Sequence, residues 1–474
     1  MIPLSACFAL VALWPRGDTP PALAIERVAL VSMESELVLR EQTVLVRAGR
    51  IAALGPSAEI ELPPDVQRID GSGRWLMPGL ADMHVHAWDE NDLLLYVANG
   101  VTTVRNMSGA PLQLGWRARI EAGELRGPRI HSAGPIIDGE PPVWPGSRVL
   151  LAGEGRAERL VREQREAGYD FLKPYARLEP AAYAELAQAA RAQNVPLMGH
   201  VPDALPLSEV LAAGQRTIEH LGGFARAAQP ADSPYEKIDF TNEAEAWTLV
   251  SDARLAELAQ AVRAAGTWNC PTLIVLHKWT QGEEAEILLA RPEMRFVSPF
   301  TRSGWSPRSP FNYLRRMPRE AIAAARASVA HRQRAVRALR DAGAGLLLGT
   351  DTGNPYVVAG FALHEELGLL VAAGLTPYEA LRAGTAEAAR CLGGEADWGT
   401  LGVGKRADML LLEANPLLDV RHAARRVGLV LAGRWLPEDE LQRELEQRAS
   451  GFETPSAPAS AKPAASAPSA PSPR

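Results

Sequence analysis

His84-Val85-His86 places two imidazoles two positions apart. Alternate side chains of a β-strand share a face, so this pair could close on one metal ion. One histidine alone is more often a buried imidazole hydrogen-bonded to backbone. The pair gains weight from its company: His200 ends the run Pro196 to His200, His220 lies in Thr217 to Leu221, and Asp351 ends Gly345 to Asp351. Four of the nine histidines and a Gly-Thr-Asp thus fall at the ends of strand-like runs. Independent core histidines have no reason to do so.

Lys173, within Asp170 to Tyr175, joins this set. Desolvation and a nearby cation both disfavour an ammonium there. A neutral amine can add carbon dioxide and become a carbamate, an anion with two oxygens able to bridge two metals; the bland alternative is a strand lysine reaching outward. Two divalent ions set against a carbamate, Asp351 and a bridging hydroxide leave a net positive charge, which suits an anionic substrate. Asp351 reads either as the cap of the next helix or as both metal ligand and general base. Arg105, His131, Tyr175 and His277 lie near other strand ends, where each could bind a substrate carboxylate, polarise a carbonyl or be structural. His364 sits in the helix-like Leu363 to Val371, and His331 and His422 lie among arginines as surface residues.

These positions require a scaffold that aligns strand ends. From Pro78 to Gly394 the chain alternates apolar strand-like runs with amphipathic segments rich in Ala, Leu, Glu and Arg. The strand candidates are Leu80 to His86, Val101 to Met107, Arg129 to Ile137, Asp170 to Tyr175, Pro196 to His200, Thr217 to Leu221, Trp268 to Val275 and Gly345 to Asp351. Eight such repeats predict an α/β fold, a closed (β/α)8 TIM-type barrel with its active site at the C-terminal rim. A helix is expected over Pro318 to Ala342 and a lid or loop over Phe300 to Asn312. Residues 25–77 and 395–440 carry short strands and turn signals such as Ala48-Gly49 and Gly433. Neither piece can close a core alone, so a small β-sandwich assembled from both terminal segments is expected, with residues 78–394 as the inserted barrel.

The ends differ from the rest. Leu4 to Trp14 is apolar but too short to span a bilayer, and Ala22-Leu23-Ala24 has the form of a signal-peptidase site. Residues 1–24 are therefore read as a signal peptide, with a mature start near Ile25 and a periplasmic or secreted location; a cytoplasmic one is the alternative. Of the 20 residues from Pro455 to Arg474, 18 are Pro, Ala or Ser, so residues 450–474 are read as a disordered tail. The 474 residues are 47% apolar, and 50 Lys and Arg against 56 Asp and Glu give a net charge of −6 without a basic block. That excludes the footprint of a nucleic-acid binder and favours a small-molecule substrate. Three distant cysteines write neither a disulfide framework nor a thiolate metal site. Nothing predicts a membrane span; a homo-oligomer is compatible with the sequence.

The segment Met77-Pro78-Gly79-Leu80-Ala81-Asp82-Met83-His84-Val85-His86, with Gly349-Thr350-Asp351 and Gly402 to Met409, resembles the amidohydrolase superfamily over residues 25 to 440. Within it the chain is similar to the imidazolonepropionase-related branch that includes metal-dependent Xaa-Pro dipeptidases. The stretch Leu367 to Leu392 is similar to the helical pair that closes these barrels. The resemblance implies one metal held by His84, His86 and Asp351, a second held by His200 and His220, and a bridge through carbamylated Lys173 and hydroxide. Zinc is the default metal; manganese, cobalt or iron would also accept these ligands. Imidazolonepropionase has no such lysine, and deaminases often carry His-x-x-Glu where this chain has His200-Val201-Pro202-Asp203, so both activities are disfavoured.

The leading expectation is thus hydrolysis of an amide bond of a dipeptide or N-acyl amino acid, by a metal-bridging hydroxide with Asp351 as base. A lactone, ester or phosphotriester hydrolase with the same centre is the alternative, since the centre does not select the electrophile. A scaffold that lost its chemistry is opposed by the intact ligand set.

Overall fold

A computed structural model describes residues 21–453, except 236, 239–241, 282–283, 310–311 and 313–317. The expected signal peptide lies outside the described residues up to residue 20, and the expected tail from residue 454 onward.

Eight parallel segments close into a barrel. Leu80–Val85 pairs with Val101–Asn106, which pairs with Arg129–Ser132. The ring continues through bridges Ala133 to Phe171 and Leu172 to Leu197, then through Met198–Gly199, Thr217–Glu219 and Trp268–Cys270. Asn269 bridges Leu346, and Met83 N donates to Leu348 O at 2.9 Å, which returns the ring to its first strand. The strands are shorter than the apolar runs that predict them. Trp268 to Val275 in particular divides into strand Trp268–Cys270 and helix Leu273–Thr280, because Thr272 adopts φ +47° and turns the chain. Arg129 to Ile137 likewise ends as a strand at Ser132 and resumes at Ile137–Asp138.

Helices clad the ring by burying one stripe each. Arg319–Ala342 buries Ile322, Ala325, Ala335, Val336, Leu339 and Ala342, the spacing of one helical face, and stops at Gly343, whose φ of +69° suits glycine. Within the expected lid, Pro299–Trp305 is helical, capped by Ser298, and Trp305 is buried against Tyr356 of the rim.

Both terminal segments build one hydrogen-bonded sheet of eight strands: Leu23–Val31, Val38–Arg47, Arg50–Pro56, Gln67–Asp70, Trp75–Pro78, Met409–Leu412, Arg426–Leu431 and Arg434–Pro437. The two halves join where Trp75–Pro78 runs antiparallel to Met409–Leu412. Leu23–Val31 pairs with Gln67–Asp70 at its start and with Trp75–Pro78 at its end. The sheet's edge strand Arg50–Pro56 turns back to residues 404–407 through Gly404 N to Ile51 O and an Arg50 to Arg406 bridge. Leu23, Val28, Val44, Ile51, Leu76, Met409 and Val430 share its core. Leu23 and Ala24 are fully buried in the first strand, so that strand begins before the expected mature start at Ile25. Helix Glu438–Glu453 includes residues 450–453 of the expected tail, since Leu441, Leu445 and Ala449 line one buried face. Among the described residues no helix is long and apolar enough to cross a membrane.

Candidate metal centre

The first barrel strand alternates as its sequence demands, so Asp82, His84 and His86 share one face. Asp82 is buried and accepts from Thr350 N at 3.0 Å and the Thr350 hydroxyl at 2.6 Å, tying the first strand to the eighth. Burial pushes the Asp82 carboxyl up to about 7. Gly349 has to be glycine here, because a Cβ would stand 2.4 Å from Cys270 Sγ and 2.8 Å from His84 N. Asp351 then leaves the strand at φ +57° with its N–H on His84 O at 2.6 Å.

This brings the six metal-ligand candidates together. Asp351 Oδ1 lies 3.1 Å from His86 Nε2 and 3.3 Å from His84 Nε2, and Asp351 Oδ2 lies 3.9 Å from His220 Nε2. Lys173 Nζ is 3.3 Å from His84 Nε2. The rings of His84 and His220 are 4.7 Å apart, and those of His200 and His220 are 4.8 Å apart.

Hydrogen bonds on the far sides of the imidazoles decide which nitrogen faces inward. His84 Nδ1 is 2.7 Å from Glu219 Oε2, and a carboxylate can only accept, so the proton sits on Nδ1 and the Nε2 lone pair faces the cavity. His220 Nδ1 is 2.6 Å from Thr272 Oγ1, whose own proton goes to Pro271 O at 2.8 Å, so His220 obeys the same rule. Burial holds His84, His200 and His220 below the ordinary imidazole value, hence neutral. The Asp351 carboxyl is held well below the ordinary carboxylate value in spite of its burial and is anionic.

Inward lone pairs of His84 and His220 around an anion with no shared proton repel one another unless a cation lies between them. Asp351 Oδ1 is buried without a hydrogen-bond partner among the described residues, and ligand atoms of His84, His220 and Asp351 lie within 4.8 Å of one another. The residues therefore fit a divalent cation. Lys173 is 1% exposed, and burial pulls its ammonium down to about 8, which makes the neutral amine accessible near neutral pH. A second cluster, His84, Glu219 and Cys270, is close enough for a metal but chemically closed. Arg105 neutralises Glu219, and burial keeps the Cys270 thiol protonated.

The substrate-binding candidates separate. Tyr175 is at the site, its ring stacked on His200 at 4.1 Å, and its hydroxyl accepts from Trp144 Nε1 at 2.7 Å. Arg105 lies beneath the site, fully buried, with Nη2 on both Glu219 oxygens at 2.9 and 3.0 Å and Nη1 on Thr217 Oγ1 at 2.9 Å. Its donors are spent on the protein rather than offered to a substrate. His131 faces Asp170, Arg129, Arg406 and Arg117, and burial pulls it down to about 4. His277 sits on helix Leu273–Thr280 beside Lys278 and Glu365. His364 lies on helix Phe361–Ala372, and its Nε2 bonds Asn99 O at 3.0 Å.

The pattern of the amidohydrolase family matches residues 75–436, the span that holds the barrel and all six converging residues. The chain belongs to the amidohydrolase family. Bottromycin amidohydrolase is a structural neighbour of this amidohydrolase, at TM-score 0.74 and 27% identity over 92% of this chain and 91% of that one. A structure described as that of a prolidase from Bifidobacterium longum gives TM-score 0.65 and 25% identity over 90% and 100%. Ochratoxinase of Aspergillus niger is 23% identical over 81% of this chain and 79% of its own length. Other curated relatives, deaminases among them, align over 70 to 73 residues, so the aligned part spans 12% to 18% of their length.

Sequence spacing left out the residues that orient this amidohydrolase's ligands. No spacing rule points to Glu219 or Thr272, nor to Glu366, whose carboxylate accepts from Leu273 N at 3.0 Å and Ile274 N at 2.7 Å and so fixes the helix after Thr272. One signal was present: an acidic residue inside the short apolar run Thr217 to Leu221 needs a buried partner.

Proposed function

We propose that this amidohydrolase-family enzyme is a binuclear metal-dependent hydrolase of an amide bond in a dipeptide or N-acyl amino acid. The observation that carries the reading is the convergence of four imidazoles, Lys173 and Asp351 at one site. In this reading His84, His86 and Asp351 would hold one ion and His200 and His220 the other, with Lys173 as its carbamate serving both. Two divalent ions, zinc by default, would polarise the scissile carbonyl and make water a nucleophile near neutral pH.

The chain's own residues do the rest. Asp351 receives the proton of the attacking water at a carboxylate oxygen and passes it to the amide nitrogen as the C–N bond breaks and the new C–O bond is made. The Tyr175 hydroxyl, accepting from Trp144, keeps its proton for an oxygen of the substrate. The likeness to bottromycin amidohydrolase and to a prolidase supports amide chemistry and a small peptide-like substrate.

The test is metal analysis of protein reconstituted with zinc and bicarbonate, followed by a panel of dipeptides, N-acyl amino acids and lactones. Two metals per chain with turnover of an amide are expected. One metal per chain that Lys173→Ala does not alter, or turnover of lactones alone, overturns the proposal.

A further inference from the structure

Among the described residues two indoles are exposed, Trp88 at 52% and Trp144 at 48%, and both stand on loops leaving barrel strands at the rim of the metal centre. Exposed aromatic rings beside a site are candidates for a recognition surface. Trp144 is the better defined of the two, because its loop is built.

Asp138 is fully buried and its carboxylate accepts three backbone N–H groups: Gly139 at 2.9 Å, Val143 at 2.8 Å and Arg177 at 2.7 Å. Two of these belong to the Trp144 loop and the third to the chain just beyond Tyr175. Arg177 also donates to Pro141 O at 2.7 Å, and Ile137 N reaches Lys173 O at 2.9 Å. The loop is thereby locked to the strand that carries Lys173 and Tyr175. The lock delivers the indole N–H to the Tyr175 hydroxyl at 2.7 Å, while Tyr175 lies flat on His200 at 4.1 Å and 29°.

We propose that Trp144 and Tyr175 form a preorganised shelf that binds an aromatic side chain of the substrate on the His200 side of the centre, making Trp144 a specificity-determining residue. The only polar atom of the indole is spent on Tyr175, so what remains exposed is ring, flanked by Val143, itself 37% exposed. Such a surface gains from a flat apolar partner and offers neither a counter-charge nor a hydrogen bond to an anionic one. Continuity with the stacked Tyr175 and His200 pair sets the shelf within reach of the scissile bond. The assignment deepens the amide-hydrolase reading and rests on it.

The experiment compares N-acetylphenylalanine with N-acetylglycine, as the ratio of their kcat/KM, in the metal-replete enzyme and in Trp144→Ala. The wild-type ratio should favour phenylalanine, and Trp144→Ala should reduce that ratio about tenfold, through KM. Trp144→Leu, which fills the space without a flat face, should fall most of the way; it serves if the alanine variant loses the loop. Trp144→Phe should retain most of the preference. Calorimetric binding of N-acetylphenylalanine and N-acetylglycine to the metal-free enzyme reads the same preference without turnover. An enzyme that binds with this preference but hydrolyses neither amide refutes the proposed reaction and leaves the shelf standing. A phenylalanine preference unchanged in Trp144→Ala and Trp144→Leu overturns the shelf.

Discussion

Glu219→Gln removes one charge from a fully buried ion pair. Glu219 and Arg105 are both fully buried, and the guanidinium grips both carboxylate oxygens. Breaking such a pair leaves an uncompensated buried cation, a cost of about 3–5 kcal/mol. The lower end applies here, because the glutamine oxygen still accepts from Arg105, whose Nη1 keeps Thr217 and whose Nε keeps Met83 O. With its oxygen so engaged, the new amide turns its NH2 toward His84 Nδ1. A donor there forces the His84 proton onto Nε2 and removes the lone pair that faces Asp351. Loss of such an orienting partner lowers metal affinity about 10- to 100-fold. The assays are denaturant unfolding of the metal-free protein and chelator competition for zinc. The double variant Glu219→Gln with Arg105→Met separates the effects: removing the stranded cation should restore most of the stability, while metal affinity stays low. Glu219→Gln within about 1 kcal/mol of wild type and with unaltered zinc affinity would refute the tautomer argument.

Asp351→Asn should keep most of the bound metal, because five other ligand residues remain, yet lose about 100- to 10,000-fold in turnover and the acidic limb of the pH profile; turnover within a few-fold of wild type excludes Asp351 as the base. Lys173→Ala should lose activity and recover part of it with short-chain carboxylic acids, which supply the bridging oxygens, whereas Lys173→Arg should not be rescued; an active Lys173→Arg enzyme refutes the carbamate. His131 titrates near 4 when folded and near 6.5 when unfolded, so the unfolded chain binds the extra proton between those values and stability falls as pH drops through that window. His131→Gln should remove that slope, gaining about 1–2 kcal/mol on wild type at pH 5 relative to pH 7, read by denaturant unfolding. Export is proposed from the N-terminal residues, and because Leu23 pairs with Val46 and Gln67, N-terminal sequencing of periplasmic material should find a start before Leu23 rather than at Ile25. Recovery in the cytoplasm with Met1 retained counts against export.

Local rules made part of this protein legible without coordinates. Period-two alternation is a property of any strand, so His84-Val85-His86 had to put both imidazoles on one face wherever that strand lay. Ala48-Gly49 and Ala432-Gly433 turn with positive φ, and the hairpins they mark are where the sequence signals them. The alternation of apolar runs and amphipathic helices likewise specified a barrel.

The rest depended on contacts distant in sequence. His220 follows Glu219, and on a continued strand the two would point to opposite sides. Positive φ at His220 and Leu221 breaks the alternation and lets His220 approach Asp351 while Glu219 stays beneath His84. Leu273 to Leu276 is an apolar run that suits strand or helix equally. The turn at Thr272 and the Glu366 carboxylate on the first helical N–H groups select helix, and the same turn supplies the hydroxyl that orients His220. Arg105 reads as a substrate-binding cation because its partner stands 114 positions away. A charge inside a barrel must find a counter-charge, but which one it finds is settled only when strands two and six close into the same ring.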